Sequence, residues 1–430
     1  MSAAEKPRYE MVPMDTDATP RNHQKRKKSN MFLLFGFVFV LAVMAVVSLE
    51  GGISNDNSVE APNELSNNST CKRRIIGYHE LDINDGVSNL QLSTLTHLIL
   101  TPMDIQTDGT LSPRSWVERL RFKEVLSNAK RFPNLSVMFE LTDAHGTFDI
   151  FRKIREDPIL KENLFVSISN FLVVNHLDGL EITGYFERNE EDFETFNSFL
   201  EELHEKLRQL SISTKRKIPF TISTFLSWRT NGNVTKIDKI MEHVDFVTIE
   251  VDNYFTSMFS TTPELTGPAS PLYSSKYPEK NMDYTMKQFS CLSKQPNKLN
   301  FLIDFVAHTW QSVTKSDDGP WMIAEPMNGK VNGTWLLSKS LPTCEWNISL
   351  ASWSDESKTP YFWDPVTEDY VAFENARSVE EKLKYAIEKN IGGVAVWRMN
   401  REDEDCPLFS MLSSDKFCAG SNSTNVNYQC

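Results

Sequence analysis

Eight short apolar segments recur along the chain, and amphipathic segments separate them. Two of the separating segments, 191–210 and 378–390, carry apolar residues at the three- and four-residue spacing of a helix. Strands that alternate with helices predict a parallel sheet, and eight units in roughly 340 residues favour a closed (β/α)8 TIM barrel over an open sheet. The predicted strands are residues 73–79, 96–101, 135–141, 177–183, 217–224, 244–251, 298–307 and 391–399.

One interval departs from this alternation. Residues from about 311 to 375 are rich in Trp, Gly and Pro and contain no long helical pattern. We expect a small α+β insertion there, between strand 7 and helix 7, on the carboxyl face where barrel active sites are built. The barrel should cover residues 71–418, and a C-terminal tail should follow at 419–430.

A second constraint comes from residues 31–49, which carry no charge and are long enough to span a bilayer as a helix. The basic run at 25–28 precedes this segment and Glu50 follows it, so the positive-inside rule predicts a single-pass type II topology. We expect a disordered cytoplasmic tail at 1–30, a transmembrane helix at 31–49 and a polar stalk at 50–70. The alternative is a signal peptide, which the long polar lead and the lack of an A-x-A-like cleavage site disfavour.

Other features place the bulk of the chain outside the cytoplasm, on the extracellular side or in the secretory lumen. All six cysteines follow the apolar segment, which predicts disulfide bonds in 15 alternative pairings. The net charge of -13 argues against a nucleic-acid partner. No cysteine and histidine spacing predicts a metal, and nothing predicts a cofactor. Possible N-glycosylation sites also lie on this side only, at Asn67, Asn68, Asn134, Asn233, Asn332, Asn347 and Asn422.

The order of several motifs resembles glycoside hydrolase family 18, the chitinases and chitinase-like proteins. The motifs are GYHE at 77–80, DGLEITGYF at 178–186, VDFVTIEVDNY at 244–254, KLNFLIDFVAHTW at 298–310 and VAFENARSVEEKLKYAIEKNIGGVAVW at 371–397. In active members the fourth strand carries D-G-x-D-x-D-x-E, because residues two apart line the same inner face of the barrel. The resemblance implies that the final Glu is the general acid and that the preceding Asp orients the N-acetyl group of the substrate, which acts as the nucleophile.

This chain departs from that pattern. Asp178 keeps the first Asp and Glu181 takes the second, but Thr183 replaces the third and Tyr185 stands in place of the catalytic Glu. A phenol is a poor acid near neutral pH, and loss of the acid alone should lower the rate roughly 10²- to 10⁴-fold. On the sixth strand the family has the pattern M-x-Y-D. Here Glu250, Asp252 and Asn253 take the positions of the Met, the Tyr and the Asp. We therefore expect no catalytic residue at these positions.

Binding positions are partly retained. Tyr78 and Trp397 match aromatic residues that form the floor of the family's sugar site, although plain packing is an equally good interpretation. Tyr185 also has a hydroxyl suited to a sugar. The segment LTDAHG at 141–146 replaces the expected G-G-W, and Val306 and His308 replace an expected Tyr and Arg, so a long polysaccharide groove is in doubt.

Two functions follow as hypotheses. The first is a membrane-anchored, catalytically inactive chitinase-like protein whose barrel binds a chitin-type glycan or a protein partner. The second is an active glycosidase on an N-acetylated glycan, with Glu187 or Glu181 as a displaced acid. The carboxylates Glu181, Glu250, Asp252 and Asp304 on inward positions also leave open a different hydrolytic site or a cation site.

Overall fold

The structure is a computed structural model of the 430-residue chain. It divides into one unit over residues 1–68 and a second over residues 69–430. The residues that the structure describes are 73–83, 86–143, 149–183, 190–217, 219–227, 236–256, 264–268, 270–314, 319–326, 331, 333–336, 351–399, 408–413, 417 and 428–430. Within these ranges no helix combines the length and apolarity needed to cross a membrane. The tail, the apolar segment at 31–49 and the stalk lie outside them.

The described part alternates strands and helices. In chain order the strands are β1 (Arg74–Glu80), β2 (His97–Ile105), β3 (Leu111–Ser112), β4 (Ser136–Asp143), β5 (Gly179–Thr183), β6 (Thr221–Ser227), β7 (Phe246–Glu250), β8 (Leu299–Asp304), β9 (Ala307–Trp310), β10 (Val313–Thr314), β11 (Ile323–Ala324), β12 (Gly333–Leu336), β13 (Ser352–Ser354), β14 (Thr359–Trp363), β15 (Tyr370–Ala372) and β16 (Gly393–Trp397). The helices are α1 (Asn89–Thr94), α2 (Trp116–Ala129), α3 (Asp149–Glu156), α4 (Pro158–Asn175), α5 (Glu190–Ser213), α6 (Ile237–Met241), α7 (Met282–Ser293) and α8 (Ala376–Glu388).

Eight parallel strands close into a barrel. Their order is β1-β16-β8-β7-β6-β5-β4-β2, and β2 pairs back with β1. The closed eight-stranded parallel barrel with helices that the sequence predicts is confirmed, and β5 is its fourth strand. The fifth predicted strand begins later than expected: β6 starts at Thr221 and not at Lys217. Pro219 has no N–H to donate to a neighbouring strand, which explains the later start.

The barrel strands bury both faces. Alternate residues point inward and form a small core cluster: Ile76, Tyr78, Ile99, Met138, Phe225, Phe246, Leu302 and Ala395. The residues between them pack outward against the helices, as Leu180 and Ile182 of β5 do. This division follows from the two-residue period of a strand, and it fixes which side chains can reach the interior.

A second, five-stranded sheet lies between β8 and α8 in the chain. It is antiparallel, with the order β12-β9-β15-β14-β13, and β10 and β11 form a separate hairpin-like pair. Trp310 and Tyr370 are fully buried in the core of this sheet. Since β9 follows β8 at its carboxyl end, the sheet lies on the carboxyl side of the barrel, where its loops can border a site.

Several helices end in a residue with left-handed backbone conformation. His176 after α4 has φ 52°, Lys215 after α5 has φ 52°, Lys294 after α7 has φ 56° and Asn390 after α8 has φ 55°. Glycine adopts this conformation freely, whereas other L-residues pay about 1–2 kcal/mol for it. These residues lie in the loops that lead from a helix into the next strand. We call the surface that these loops form the amino-terminal face.

The last three residues lie against the barrel helices. Cys430 forms a disulfide with Cys291 of α7, across 139 residues of sequence. The Tyr428 and Tyr385 hydroxyls are hydrogen-bonded to each other, and the Tyr385 hydroxyl also donates to Asp283 Oδ1 at 3.1 Å. The C-terminus is thereby tied to α7 and α8.

Candidate functional site

Two glutamates stand side by side inside the barrel. Glu140 of β4 and Glu181 of β5 are partners in the parallel register, so their side chains enter the interior at the same level. Glu140 is 4% exposed and Glu181 is fully buried. Like charges at such close range cannot both ionise cheaply, so the surroundings must decide which carboxyl holds a proton.

Hydroxyl groups from both neighbouring strands bind Glu140. Thr101 of β2 donates to Oε2 and Thr183 of β5 donates to Oε1. Burial raises the pKa of the Glu140 carboxyl, while the two hydroxyl donors oppose that rise because they favour the ionised form. Thr183, which replaces an acid of the family pattern, is therefore engaged as a hydrogen-bond donor to Glu140.

Glu181 has fewer donors. Ser223 of β6 donates to its Oε2 at 3.1 Å, and the Tyr78 phenol lies beside the carboxyl in poorer hydrogen-bond geometry. Burial and the nearby charge of Glu140 raise the pKa of Glu181 to about 8. Glu181 is therefore protonated at neutral pH, next to a Glu140 whose hydroxyl donors favour its ionised form. Burial raises the pKa of both carboxyls, and Glu140 has more hydroxyl donors that oppose the rise.

Two more buried hydroxyls lie around Glu181. The phenol of Tyr78 and the hydroxyl of Thr248 are both fully buried, and Tyr78 lies beside both Thr248 and Glu181, although none of these contacts has normal hydrogen-bond geometry. Burial, and after it the charge of Glu181, raise the pKa of Tyr78 well above its usual range. The interior of the barrel thus holds polar atoms at this level whose bonding capacity is only partly used.

Above this level lies a group of aromatic rings. The rings of Tyr78 and Trp397 are 4.9 Å apart, and Phe225 lies 6.0 Å from Trp397. Within the group Tyr78 is buried, whereas Trp397 is partly exposed at the carboxyl end of β16. The next residue, Arg398, has φ 61° and lies 3.4 Å from the Glu80 carboxylate. A residue with left-handed backbone beside an accessible indole is the kind of local strain that accumulates at binding sites.

The first part of the DGLEIT motif has a structural role. Asp178 lies at the amino end of β5, where Oδ2 accepts the Val137 N–H at 2.9 Å and Oδ1 accepts Arg216 at 3.0 Å. A Cβ on Gly179 would lie 2.1 Å from the Thr221 carbonyl oxygen, so only glycine fits between the strands. These two residues hold β4, β5 and β6 together and lie at the end of the barrel opposite Trp397.

The position of the family's tyrosine holds a buried acid. Asp252 follows β7, is 1% exposed and lies within the electrostatic reach of Lys382 of α8. Lys382 is fully buried and forms an ion pair with Glu374, whose other oxygen accepts the Ser378 hydroxyl at 2.6 Å. Burial lowers the pKa of Lys382, against the effect of both acids. Asp252 thus belongs to a mixed-charge group.

The remaining predicted positions are dispersed. Val306 and His308 are buried, and burial lowers the pKa of His308 to about 4, with a smaller effect from Arg398. Asp304 accepts the Val306 N–H at 3.0 Å, and Glu250 ends β7 with partial exposure. Of the acids predicted on inward positions, Asp304 thus accepts a backbone N–H, and Asp252 lies near Lys382. In the described ranges no three His, Cys, Asp or Glu residues lie together as metal ligands. Tyr185, Glu187 and the last three residues of LTDAHG lie outside the described residues.

Sequence reasoning missed Glu140. A glutamate inside the run LSVMFEL is unusual, since Glu is almost never fully buried without a partner, and this signal was available. Its pairing with Glu181 required the register between β4 and β5, which no local pattern encodes. Sequence reasoning also missed Lys382, because it lies in a helix with an ordinary amphipathic pattern.

Comparison with known proteins identifies the family. The family model described as Glycosyl hydrolases family 18 matches residues 74–402. This chain belongs to that family. The match begins at the first residue of β1 and extends past β16, so it contains every strand of the barrel.

Individual relatives are distant. Mouse chitotriosidase-1 is 21% identical over 333 residues, which are 74% of this chain and 65% of the relative, and probable chitinase 10 of Drosophila melanogaster is matched over only 12% of its length. Among solved structures, a mutant class V chitinase from Nicotiana tobaccum in complex with NAG4 has a TM-score of 0.69 at 15% identity and covers 81% of this chain and 99% of its own. The chitinase-like agglutinin of Robinia pseudoacacia has a TM-score of 0.68 at 16% identity, over 80% of this chain and 99% of its own. At these identities the structures support the fold.

Proposed function

We propose that this chain is a membrane-anchored, chitinase-like protein that binds N-acetylglucosamine-containing glycans and does not hydrolyse them. The observation that carries the proposal is the bonding of Thr183, which donates to Glu140 where an active member would hold a carboxylate against the substrate. Tyr185 stands at the position of the general acid in the sequence. Without a carboxylate at position 183 and a general acid at position 185, this end of β5 has no group with a suitable pKa to protonate a glycosidic oxygen.

Trp397 supports the binding part of the proposal. Its indole is partly exposed at the carboxyl end of the barrel, and an aromatic face suits the apolar face of a pyranose ring. Tyr78 lies below Trp397 and orients it without reaching the surface. Structures similar to this chain include proteins solved with chito-oligosaccharides, among them the tobacco chitinase and YKL-39. Chitin-type oligosaccharides are therefore the first ligands to test.

The membrane part rests on the sequence. Residues 31–49 are uncharged and follow a basic run, which favours a type II anchor that displays the barrel outside the cytoplasm. Carbonate extraction of membranes that contain the full chain tests this part: an anchored chain stays in the membrane pellet.

The binding experiment compares wild type with Trp397→Ala on an array of N-acetylated glycans. We expect wild type to bind chito-oligosaccharides and Trp397→Ala to bind at least about tenfold more weakly. Trp116→Ala is the matched control, since Trp116 is 72% exposed on α2 and its loss should leave binding unchanged. Absence of any glycan signal would leave a protein ligand as the function of the barrel.

A second candidate is an active glycosidase, which one observation favours. Glu181 has a pKa raised to about 8 and so carries the proton that a general acid needs. Against it, Glu181 is fully buried beneath the aromatic group and would need a rearrangement to reach a substrate. Hydrolysis of chito-oligosaccharides that wild type performs and Glu181→Gln or Glu187→Gln abolishes would establish this candidate and reject the first.

A further inference from the structure

Positive charge is concentrated on the amino-terminal face. The loops that lead from a helix into the next strand contain the acids Asp178, Glu242 and Asp245 and more than twice as many cations. The cations of these loops are Lys130, Arg131, Lys215, Arg216, Lys217, Lys294, Lys298 and Lys389. The net charge of the whole chain is -13, so this face has the opposite sign of charge to the molecule that carries it.

Most of these cations have no acidic partner among the described residues. Arg216 is the exception, since it forms an ion pair with Asp178. Lys298 donates to two backbone carbonyl oxygens, which are neutral groups and leave its charge uncompensated. The lysines that are exposed and form no ion pair with another described residue are Lys130, Lys215, Lys217 and Lys294.

Helix ends account for the position of some of these lysines but do not neutralise them. Lys130, Lys215, Lys294 and Lys389 lie within two residues of the end of a helix, where the helix dipole favours a cation. A helix end contributes only about half of a negative charge, so a single lysine already exceeds it. Lys217 lies beyond the end of α5 and adds a further charge in the same loop. The face therefore keeps an excess of positive charge.

The flank of α4 and α5, beside this face, has the opposite character. There Lys161 pairs with Glu202, Lys206 with Glu162 and Arg208 with Glu205. Charges on the flank thus neutralise one another, whereas those on the face can meet an external anion.

The cations lie side by side along one side of the face. β4, β5 and β6 are neighbours in the barrel, so the loops that precede them are neighbours too. Asp178, which pairs with Arg216, is the only acid in the sequence of these three loops. Their other cations are Lys130, Arg131, Lys215 and Lys217. Neighbouring strands are about 4.8 Å apart, so these cations extend over a distance that suits several charges of a linear polymer and exceeds a single small anion.

Nucleic acids and sulfated polysaccharides are both linear polyanions, and the aromatic residues of the face separate them. Among the described loops Phe132 is partly buried, and Phe220 is buried beneath the Arg216 guanidinium at 4.2 Å. Single-stranded nucleic acid gains much of its affinity from bases stacked on accessible aromatic rings, and a duplex is read by a helix or strand pair in its groove. A face of loops with exposed lysines offers neither, but it supplies the charged donors that bind sulfate groups.

We infer that the amino-terminal face binds a sulfated polysaccharide, with Lys130, Lys215 and Lys217 on its sulfate groups. This site lies at the end of the barrel opposite Trp397, so the inference goes beyond the chitin-type ligand of the proposed function. It rests on the proposed function in one respect, which is that the barrel lies outside the cytoplasm, where such polymers occur.

The test measures binding of the full chain, in micelles of a neutral detergent, to heparin and to heparin from which the sulfates have been removed. We expect wild type to bind heparin, to release it as ionic strength rises because salt screens exposed charges, and to bind the desulfated polymer far more weakly. Lys215→Gln/Lys217→Gln should weaken heparin binding roughly tenfold, at about threefold per lysine. Lys215→Arg/Lys217→Arg keeps both charges and should bind like wild type.

Lys123→Gln/Lys153→Gln is the matched control, since it removes two exposed lysines from α2 and α3 and should leave heparin affinity unchanged. Equal affinity of wild type and Lys215→Gln/Lys217→Gln, or equal affinity for heparin and its desulfated form, would overturn the inference. A single-stranded oligonucleotide that binds as tightly as heparin would overturn the choice of partner. Trp397→Ala should leave heparin binding unchanged, so loss of chito-oligosaccharide binding alone would reject the proposed function and not this site.

Discussion

Two groups of buried ionisable side chains lie at the carboxyl end of the barrel, and they differ in how their charge is balanced. Lys382 and Glu374 form an ion pair of opposite charges, completed by the Ser378 hydroxyl. Glu140 and Glu181 are two acids in register, surrounded by hydroxyls, and no cation among the described residues forms an ion pair with either. Both groups are buried, so they differ mainly in whether their two ionisable groups carry opposite or like charges.

The ion pair stabilises the fold, whereas the pair of acids costs it stability. Removal of either partner of a buried ion pair strongly lowers stability, because it leaves the other charge buried and uncompensated. A pair of acids is stable only while at least one is protonated, so it links the stability of the barrel to pH. Such a pair is a poor structural device, and its position beneath Trp397 associates it with the candidate site.

The largest expected effect concerns the ion pair. Lys382→Met leaves Glu374 buried without its cation and should lower the free energy of unfolding by about 3–5 kcal/mol. Urea unfolding at pH 7 followed by tryptophan fluorescence measures this. Lys382→Met/Glu374→Gln is the control and should recover part of the loss. A loss below about 1 kcal/mol in the single variant would show that the pair is not structural.

The acids should show a pH effect of similar size. The folded-state pKa of Glu181, about 8, lies above the unfolded value of about 4.3, so folding takes up a proton between these values. The contribution of Glu181 to stability is complete below the unfolded pKa and is lost as pH rises through the folded pKa. From pH 5 to pH 8 this loss is roughly 3–4 kcal/mol.

Glu181→Gln should remove that slope, because the amide does not titrate. Unfolding of wild type and Glu181→Gln in urea at several pH values gives the comparison. Asp283→Asn makes the same kind of change at an acid of α7, outside the barrel interior, and serves as the control. Parallel pH profiles for wild type and Glu181→Gln would mean that Glu181 is ionised in the folded protein.

The two groups also differ in how far the sequence predicts them. Alternating strand and helix patterns predict the eight strands, and the inward positions of Glu181 and Thr183 follow from the strand period. The identity of the residue beside Glu181 does not follow from the strand period. It depends on the register between β4 and β5, which places Glu140 there. The sequence prediction instead grouped Glu181 with Asp252, which the structure places within reach of Lys382. Contacts between strands depend on packing across the whole barrel, and a local pattern contains no information on them.

A smaller effect tests the hydroxyls that bind Glu140. Thr101→Val keeps the shape of the side chain and removes the donor to Oε2, so the carboxyl loses one of its two hydrogen bonds. A hydrogen bond to a charged group contributes about 1.5–3 kcal/mol, and we expect a loss in this range at pH 7. The loss should shrink at pH 4, where Glu140 is protonated in both variants. An equal loss at both pH values would assign the effect to packing.

The smallest effect should have the opposite sign. Thr248 is fully buried in the same interior, and its hydroxyl makes no hydrogen bond of normal geometry, so Thr248→Val removes a desolvated polar group and leaves its shape. We expect the free energy of unfolding to rise by up to about 1 kcal/mol. Thr101→Val is the matched comparison, since the same substitution removes a hydroxyl that is bonded. A loss of stability in Thr248→Val would show that this hydroxyl is paired with Tyr78 or Glu181 in solution, and the acid pair would then have a third hydroxyl to stabilise it.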